Sequence, residues 1–402
     1  MSFNHMPSNW EVRKMPSVVK WSSGGTPKAT EKQYYENGSI PWLVIGDLND
    51  GIVTKSESKI TKLGLENSSA KMIPKGTLLV AMYGSIGKLG ITGIECCTNQ
   101  AIAYAKELYG VTTEYLYYYM AMMKPKLISK GKGGTQKNIS QSVLNSLDVI
   151  VPPLSEQKRI VARIEELFSE LDNGVETLKK TKQQLAVYRQ AVLKAAFEGT
   201  WINSKPERLA KISDLADVGT GATPLTSNPS YYGGGIAWVT SSKINDGNIY
   251  APSEYITEKA ISETNCKVYP PHTLLVAMYG EGKTRGKCAE LMIPAATNQA
   301  LAAIELYDNT ERFRNYVKWF LVFNYQLIRR KASGGVQPNL NLGSIKNITI
   351  PIFNDEDQVR IVSEIESRLS VCGSIEKTID AALQQAESMR QSILKKAFEG
   401  EL

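Results

Sequence analysis

Hydrophobic residues recur every seven positions over residues 155–197. Ile164, Leu171, Leu178, Leu185 and Val192 fall on one line, with Leu167 and Tyr188 on the adjoining one. This is the spacing of a helix that lies against a partner helix. Pro152 and Pro153 bar a helix upstream, Ser155 can cap the first turn, and Gly199 stands where the helix would end. At ~1.5 Å per residue the helix is about 64 Å long. The pattern returns 201 residues later: Gln157, Arg159, Ile160, Val161 and Ile164 match Gln358, Arg360, Ile361, Val362 and Ile365. The second seam runs Ile365, Cys372, Ile379, Ala386, Ile393, and the copies end alike, RQAVLKAAFEG at 189–199 and RQSILKKAFEG at 390–400. Neither helix can bury its stripe alone. The simplest partner for each is the other, antiparallel, because each starts at its own domain.

The stretches before each helix are also copies. TLLVAMYG stands at 77–84 and 273–280, and TNQA at 98–101 and 297–300. GGTP at 24–27 answers to GATP at 221–224, GGTQKN at 133–138 to GGVQPN at 334–339, and VIVP at 149–152 to ITIP at 348–351. A repeat of this length is a duplicated domain with its helix, not a solenoid. TLLVAMYG reads as a buried strand and NQAIAYAKEL at 99–108 as another. Residues 115–128 and 313–328, rich in Leu, Met, Tyr and Phe, read as helices packed on the sheets, their aromatics serving as core. The predicted fold is α+β: two similar mixed α/β domains, 1–151 and 200–353, separated by two long antiparallel helices, 152–199 and 354–402, that form a coiled coil with pseudo-two-fold symmetry.

Composition adds exclusions. A hydrophobic fraction of 42% and a charged fraction of 22% are ordinary for a globular chain. No run of about 18 apolar residues is present, so no membrane span is expected. The first residues lack an apolar core, so neither is a secretory signal. Cys96, Cys97, Cys266, Cys288 and Cys372 form no CxxC pair, and reduced thiols in the cytoplasm are expected. With only His5 and His272 beside them, a zinc site is not supported. Charge is uneven: residues 1–151 hold 17 Lys and Arg against 11 Asp and Glu, and residues 200–353 hold 16 against 12. The last 49 residues hold 6 against 10. An excess of positive charge in the two domains suits a polyanion such as DNA.

Catalytic chemistry is not legible. AMYGEGKT at 277–284 approaches a phosphate-binding loop but has Ala for the first glycine and a poor helix start after it. Asn228-Pro229-Ser230-Tyr231 approaches an adenine-methyltransferase turn, yet a proline turn before an aromatic is the simpler reading. No catalytic, cofactor-binding or metal-ligating set is assigned; the chain reads as a binder, not a catalyst.

Duplicated domains ending in VIVPPLSEQKRIV (149–161) or ITIPIFNDEDQVRIV (348–362), each followed by a helix closing on LKxAFEG, resemble the specificity subunit of type I restriction-modification systems. The GGTP, TLLVAMYG and GGTQKNIS stretches are similar to that family's target-recognition domains. The resemblance implies that each domain reads one half of a bipartite site in double-stranded DNA. It implies that the helices set the spacing between halves, and that two modification subunits dock here and methylate an adenine in each half. Restriction subunits would join in the full complex. S-adenosylmethionine, ATP and Mg would belong to the partners, with no cofactor in this chain.

If the domains read different half-sites, residues they share are scaffold or phosphate contacts, and base readout falls to positions that differ. The candidates are Lys28, Ser85, Lys88, Lys132, Gln136 and Lys137 in the first domain. In the second they are Glu281, Lys283, Thr284, Arg285, Lys287 and Gln337. Arg285 is the sharpest, because a guanidinium can bond guanine at two points. Asn99-Gln100 and Asn298-Gln299, being shared, are expected to be structural. On the helices, Gln157, Arg159, Ile160, Arg189, Gln190 and Phe197, with Gln358, Arg360, Ile361, Arg390, Gln391 and Phe398, either dock the modification subunits or fasten the helices to the domains.

Overall fold

The computed structural model describes residues 7–133, 137–279, 284–332 and 340–402, with backbone alone over 326–332. Two compact units emerge, Met1–Leu178 with Asp380–Leu402, and Lys179–Ile379. Each therefore holds one domain, the first half of the helix that follows it, and the end of the other helix.

In the first unit a five-stranded sheet runs in the order Val19–Ser23, Ile102–Leu108, Leu78–Ala81, Leu89–Thr92, Gly51–Val53. All neighbours are antiparallel except the last pair. A smaller sheet orders Lys59–Ile60, Ile40–Leu43 and Cys97–Thr98, and Glu11–Lys14 pairs with Asp148–Val151. The second unit repeats the plan with Ala216–Thr220, Leu301–Leu306, Leu274–Ala277, Cys288–Leu291 and a parallel Asn248–Ile249. Its smaller sheet gains one strand, Val268–Tyr269, and Arg208–Lys211 pairs with Thr349–Ile352. Leu78–Ala81 and Leu274–Ala277 are buried at every position, which is why an alternating pattern is absent there and a continuous apolar run appears instead. The Asn-Gln pairs precede the next strand rather than belonging to it: Ile102 begins that strand, and Asn99 Oδ1 accepts from Ala101 N at 3.1 Å.

The sheet helices are Thr113–Ser129 and Glu311–Ala332. Tyr115 and Tyr316 are buried, and each donates its hydroxyl to the carbonyl of a strand residue, Ile150 and Pro351, at 2.8 and 2.6 Å. This pairing corrects the repeat register. Ile150 corresponds to Pro351, so the match of VIVP with ITIP by proline is two residues out. Sequence identity at one proline misled; hydrogen-bonded strands fix the true offset.

The long helices are Leu154–Phe197 and Asp355–Glu399. The first starts one residue before Ser155, which lies inside its first turn rather than capping it. In the first unit Arg390 bonds Asp172, and Arg159 Nη2 donates to the Leu402 carbonyl at 3.0 Å. In the second, Arg189 pairs with Glu376 at 2.9 Å, and farther along Arg368 lies over the ring of Trp201. Numbers rise on one segment as they fall on the other, so the helix segments within each unit are antiparallel. Ile164, Val192, Ile365, Cys372, Ile379 and Ala386 are buried, as the seven-residue pattern requires. Leu171, Leu178, Leu185 and Ile393 are half-buried, and Tyr188 is exposed, so it leaves the seam.

Both helices stop alike. Gly199 and Gly400 take φ of 69° and 79°. The amide after each glycine reaches back five residues, Thr200 N to Ala195 O at 3.1 Å and Glu401 N to Lys396 O at 2.9 Å. This is the left-handed glycine stop that satisfies the last carbonyls. Just before it, Phe398 lies edge-on to Tyr115 and Tyr119 in the first core, and Phe197 packs against Tyr316, Phe320 and Phe323 in the second.

Candidate nucleic-acid interface

Strand directions gather four loops at one edge of each five-stranded sheet. In the first domain these are residues 24–28, 45–50, 82–88 and 98–101; in the second, 221–224, 241–247, the described parts of 278–287, and 298–300. Residues 131–133 and 137–139 join the first edge: Gly84 N donates to Lys137 O at 3.1 Å and Ile139 N to Met82 O at 2.8 Å.

The motifs shared by the two domains form the frame of this edge. A Cβ on Gly24 would stand 1.9 Å from the Thr98 carbonyl, and one on Gly221 would stand 1.7 Å from the Thr297 carbonyl. Only hydrogen fits, so the GGTP and GATP loops cross the TNQA turns in backbone contact. Trp42 Nε1 donates to Gly25 O at 3.0 Å and Trp238 Nε1 to Ala222 O at 3.2 Å. Thr26 bonds Gln100, and Thr223 Oγ1 meets Gln299 Oε1 at 2.5 Å. The shared Asn-Gln pairs are thus used inside the fold, Asn298 Oδ1 also accepting from Ala300 N. A Gly221→Ala chain is expected to unfold with a loss of about 1–3 kcal/mol in the second unit, because backbone must move aside; denaturant titration with domain-specific fluorescence reads it.

On this frame lie several of the expected reading residues. Lys28, Ser85, Lys132 and Lys137 are exposed at the first edge, Lys28 paired with Glu31 at 3.3 Å. Lys132 and Lys137 form no ion pair among the described residues. Asp50 is paired with Lys124 and Glu31 with Lys28, and Asp47 accepts from backbone amides; Lys88, Lys132 and Lys137 outnumber that remaining carboxylate, so the first edge keeps a positive lean. Thr284, Arg285 and Lys287 are half-buried at the second edge. Gln136, Glu281, Lys283 and Gln337 lie outside the described residues, as do residues 280–283 of the phosphate-loop-like stretch.

One pair changes category. Lys88 O accepts from Ala81 N, and Lys287 O accepts from Ala277 N, at 2.8 and 3.0 Å. They are the same position, so by the shared-residue rule they leave the base-reading set. Lys88 Nζ donates to the Ile45 carbonyl at 3.4 Å and Lys287 Nζ to Asn245 Oδ1 at 2.7 Å. The same register makes Arg285 the counterpart of Ile86, which is buried. The loop of the second domain is three residues longer, and this hid the match in the sequence. Asn228-Pro229-Ser230-Tyr231 is a capped turn, Asn228 Oδ1 accepting from Ser230 N at 3.2 Å.

Six of the helix residues expected at a partner interface are corrected. Gln157, Ile160, Phe197, Gln358, Ile361 and Phe398 are buried. Gln157 accepts from Thr112 N and donates to the Gly110 and Pro152 carbonyls; Gln358 accepts from Arg312 and donates to the Phe353 carbonyl. These side chains fasten each helix end to its own unit. Arg159 and Arg360 remain exposed, held to Glu156 and Asp357. Arg189, Gln190, Arg390 and Gln391 are half-buried. Arg390 and Gln391 line a cleft of about 560 Å³ with Tyr117, Lys124 and Phe168.

All five cysteines are buried, and burial pushes Cys96, Cys97 and Cys288 up to about 12. Among the described residues no group of three His, Cys, Asp or Glu side chains is placed to hold a metal, and no helix is long and apolar enough to cross a membrane. Sequence reasoning missed Tyr83 and Tyr279, both exposed at the loop edge. Their signal was present, as the aromatic at the open end of an otherwise buried identical run.

Two domains of one design, each with a loop edge framed by shared motifs, and two long helices define a duplicated recognition protein. The chain belongs to the type I restriction modification DNA specificity domain family, whose model matches residues 7–186 and 208–385. It is similar to the MjaIX specificity subunit of Methanocaldococcus jannaschii, 22% identical over 90% of this chain and 92% of the relative. It is likewise similar to the EcoKI specificity subunit of Escherichia coli K12, 23% identical over 100% of this chain and 91% of the relative. Among solved structures, a chain from a type I R-M system described in assembly and conformational transition covers 99% of both chains at a TM-score of 0.77 and 18% identity. The HsdS subunit of Thermoanaerobacter tengcongensis covers 99% of this chain and 98% of its own, at a TM-score of 0.59 and 18% identity. The fold is that of a type I specificity subunit.

Proposed function

We propose that each domain reads one half of a bipartite DNA site through its loop edge, and that the helices fix the number of unread base pairs between the halves. The observation that carries this is the duplicated edge itself. Shared motifs build the same frame twice, and the side chains mounted on it differ: Lys28 stands against Leu225, and the second domain has the half-buried Arg285 where the first has the buried Ile86. A frame kept alike with unlike contacts is what two readers of different half-sites need. The positive lean of the first edge supports a polyanionic ligand. Modification subunits would dock on helix residues that stay accessible, Arg159, Arg360 and the cleft beside Arg390, and would bring the S-adenosylmethionine chemistry with them.

The test is co-expression with the modification subunit, followed by mapping of methylated adenines across a genome. A motif of two specific blocks with a fixed gap is expected. One uninterrupted motif would overturn the proposal. In the same assay Arg285→Ala is expected to relax one position of one block, with a loss of about 1–3 kcal/mol in discrimination there, and to leave the other block unchanged.

A further inference from the structure

We infer that Tyr83 and Tyr279 are a matched pair of DNA-backbone contacts, each donating its hydroxyl to a phosphate oxygen. This rests on the DNA-reading function proposed above, and adds to it the residues that grip without reading.

The two tyrosines close the same run. Leu78 to Met82 and Leu274 to Met278 are at most 4% exposed, whereas Tyr83 and Tyr279 are 40% and 38% exposed. Core packing accounts for the identity of the buried residues in both copies. It does not account for an exposed tyrosine. Other exposed pairs that the domains share at this edge are explained from within. Thr26 and Gln100 satisfy each other, as do Thr223 and Gln299. Neither tyrosine hydroxyl is hydrogen-bonded within the described residues.

The backbone nevertheless fixes where each tyrosine is mounted. Met82 N donates to Ala101 O and Met278 N to Ala300 O, both at 2.8 Å. Tyr83 also forms a bridge with Asn138. An aromatic with a donor tip is therefore mounted twice at equivalent points, in the loops that also carry the shared Lys88 and Lys287. What two half-sites of different sequence have in common is their sugar-phosphate backbone, and tyrosine hydroxyls are among the usual donors to it.

The experiment compares the full-length wild-type chain with the Tyr83→Phe, Tyr279→Phe and double variants, against a library of random-sequence duplexes whose bound fraction is sequenced. Thermal melting checks that the variants fold; removing two exposed hydroxyls is expected to leave it unchanged. Each substitution is expected to weaken binding about tenfold for every library member alike, as a lost hydrogen bond to a charged group does. Sequence preference should stay as in the wild type. Unchanged affinity while wild type binds would overturn the inference and spare the proposed function. A change of preference at one base position would also overturn it, by making the tyrosine a reader. Wild type showing no salt-dependent DNA binding would instead remove the proposed function, and the inference with it.

Discussion

Phe398→Ala is expected to cost the first unit about 3–5 kcal/mol, and Phe197→Ala the second unit as much. Each ring is buried against two or three aromatic neighbours of a unit other than the one in which its helix began. The loss has a transfer part and a cavity part, since the surrounding tyrosines and strands cannot close over a missing ring. The backbone stop at Gly199 or Gly400 follows immediately, so the last turn should fray as well. Hydrogen exchange should show lost protection at 390–400 in the first variant and at 189–199 in the second, while the partner unit keeps its own. Global unfolding measured in denaturant gives the magnitude. A loss under about 1 kcal/mol would mean that the ends only rest on the cores. The functional consequence, on the reading proposed here, is loss of defined spacing before loss of either reading edge.

Glu290→Gln is expected to destabilise the second unit by about 3 kcal/mol at neutral pH. The Glu290 carboxylate is buried and receives Arg314 Nε at 2.9 Å, Lys318 Nζ at 3.1 Å and His272 Nδ1 at 2.9 Å. Arg314 is itself buried, so removing the acid leaves its guanidinium without the charge it was folded against. Lys318 also bonds Asn248, the residue that leads out of loop 241–247, so the cluster ties the sheet helix to the reading edge. Burial pushes the Glu290 carboxyl up, but the bonds from His272 and Lys318 and the charges of Lys318 and Arg314 outweigh it, leaving it below the usual range. A carboxyl lowered in the folded state stabilises above its unfolded value and loses that contribution as pH falls through the folded one. The gap in stability between wild type and Glu290→Gln should therefore be full near neutrality and close below about pH 4.5. A gap that widened on acidification would refute the assignment. The first domain has Ile91 at this position, opposite Leu78 as Glu290 is opposite Leu274. It shares no such titration.

Much of this was readable from residue order. The seven-residue stripe gave the two helices, because a seam needs its apolar residues wherever the helix goes. The unbroken apolar run in TLLVAMYG marked a strand buried on both faces, and glycines where a helix must stop marked Gly199 and Gly400. The ionic cluster around Glu290 was not legible, since His272, Glu290, Arg314 and Lys318 are brought together only by strand pairing. The equivalence of Lys88 and Lys287 was marked only by a repeated Gly-Lys pair, because a loop three residues longer displaced the match.

By itself the sequence determined that this protein is a doubled domain-and-helix chain, and which stretches the halves share. Tertiary structure decided what the sharing is for. Gln157, Ile160 and Phe197 are repeated because they lock a helix end into a core, Gln100 because it holds Thr26, and Tyr83 for neither reason. Repetition records that a residue type is required twice. Whether it is required by packing or by a ligand depends on which way its side chain faces, and long-range contacts alone set that direction.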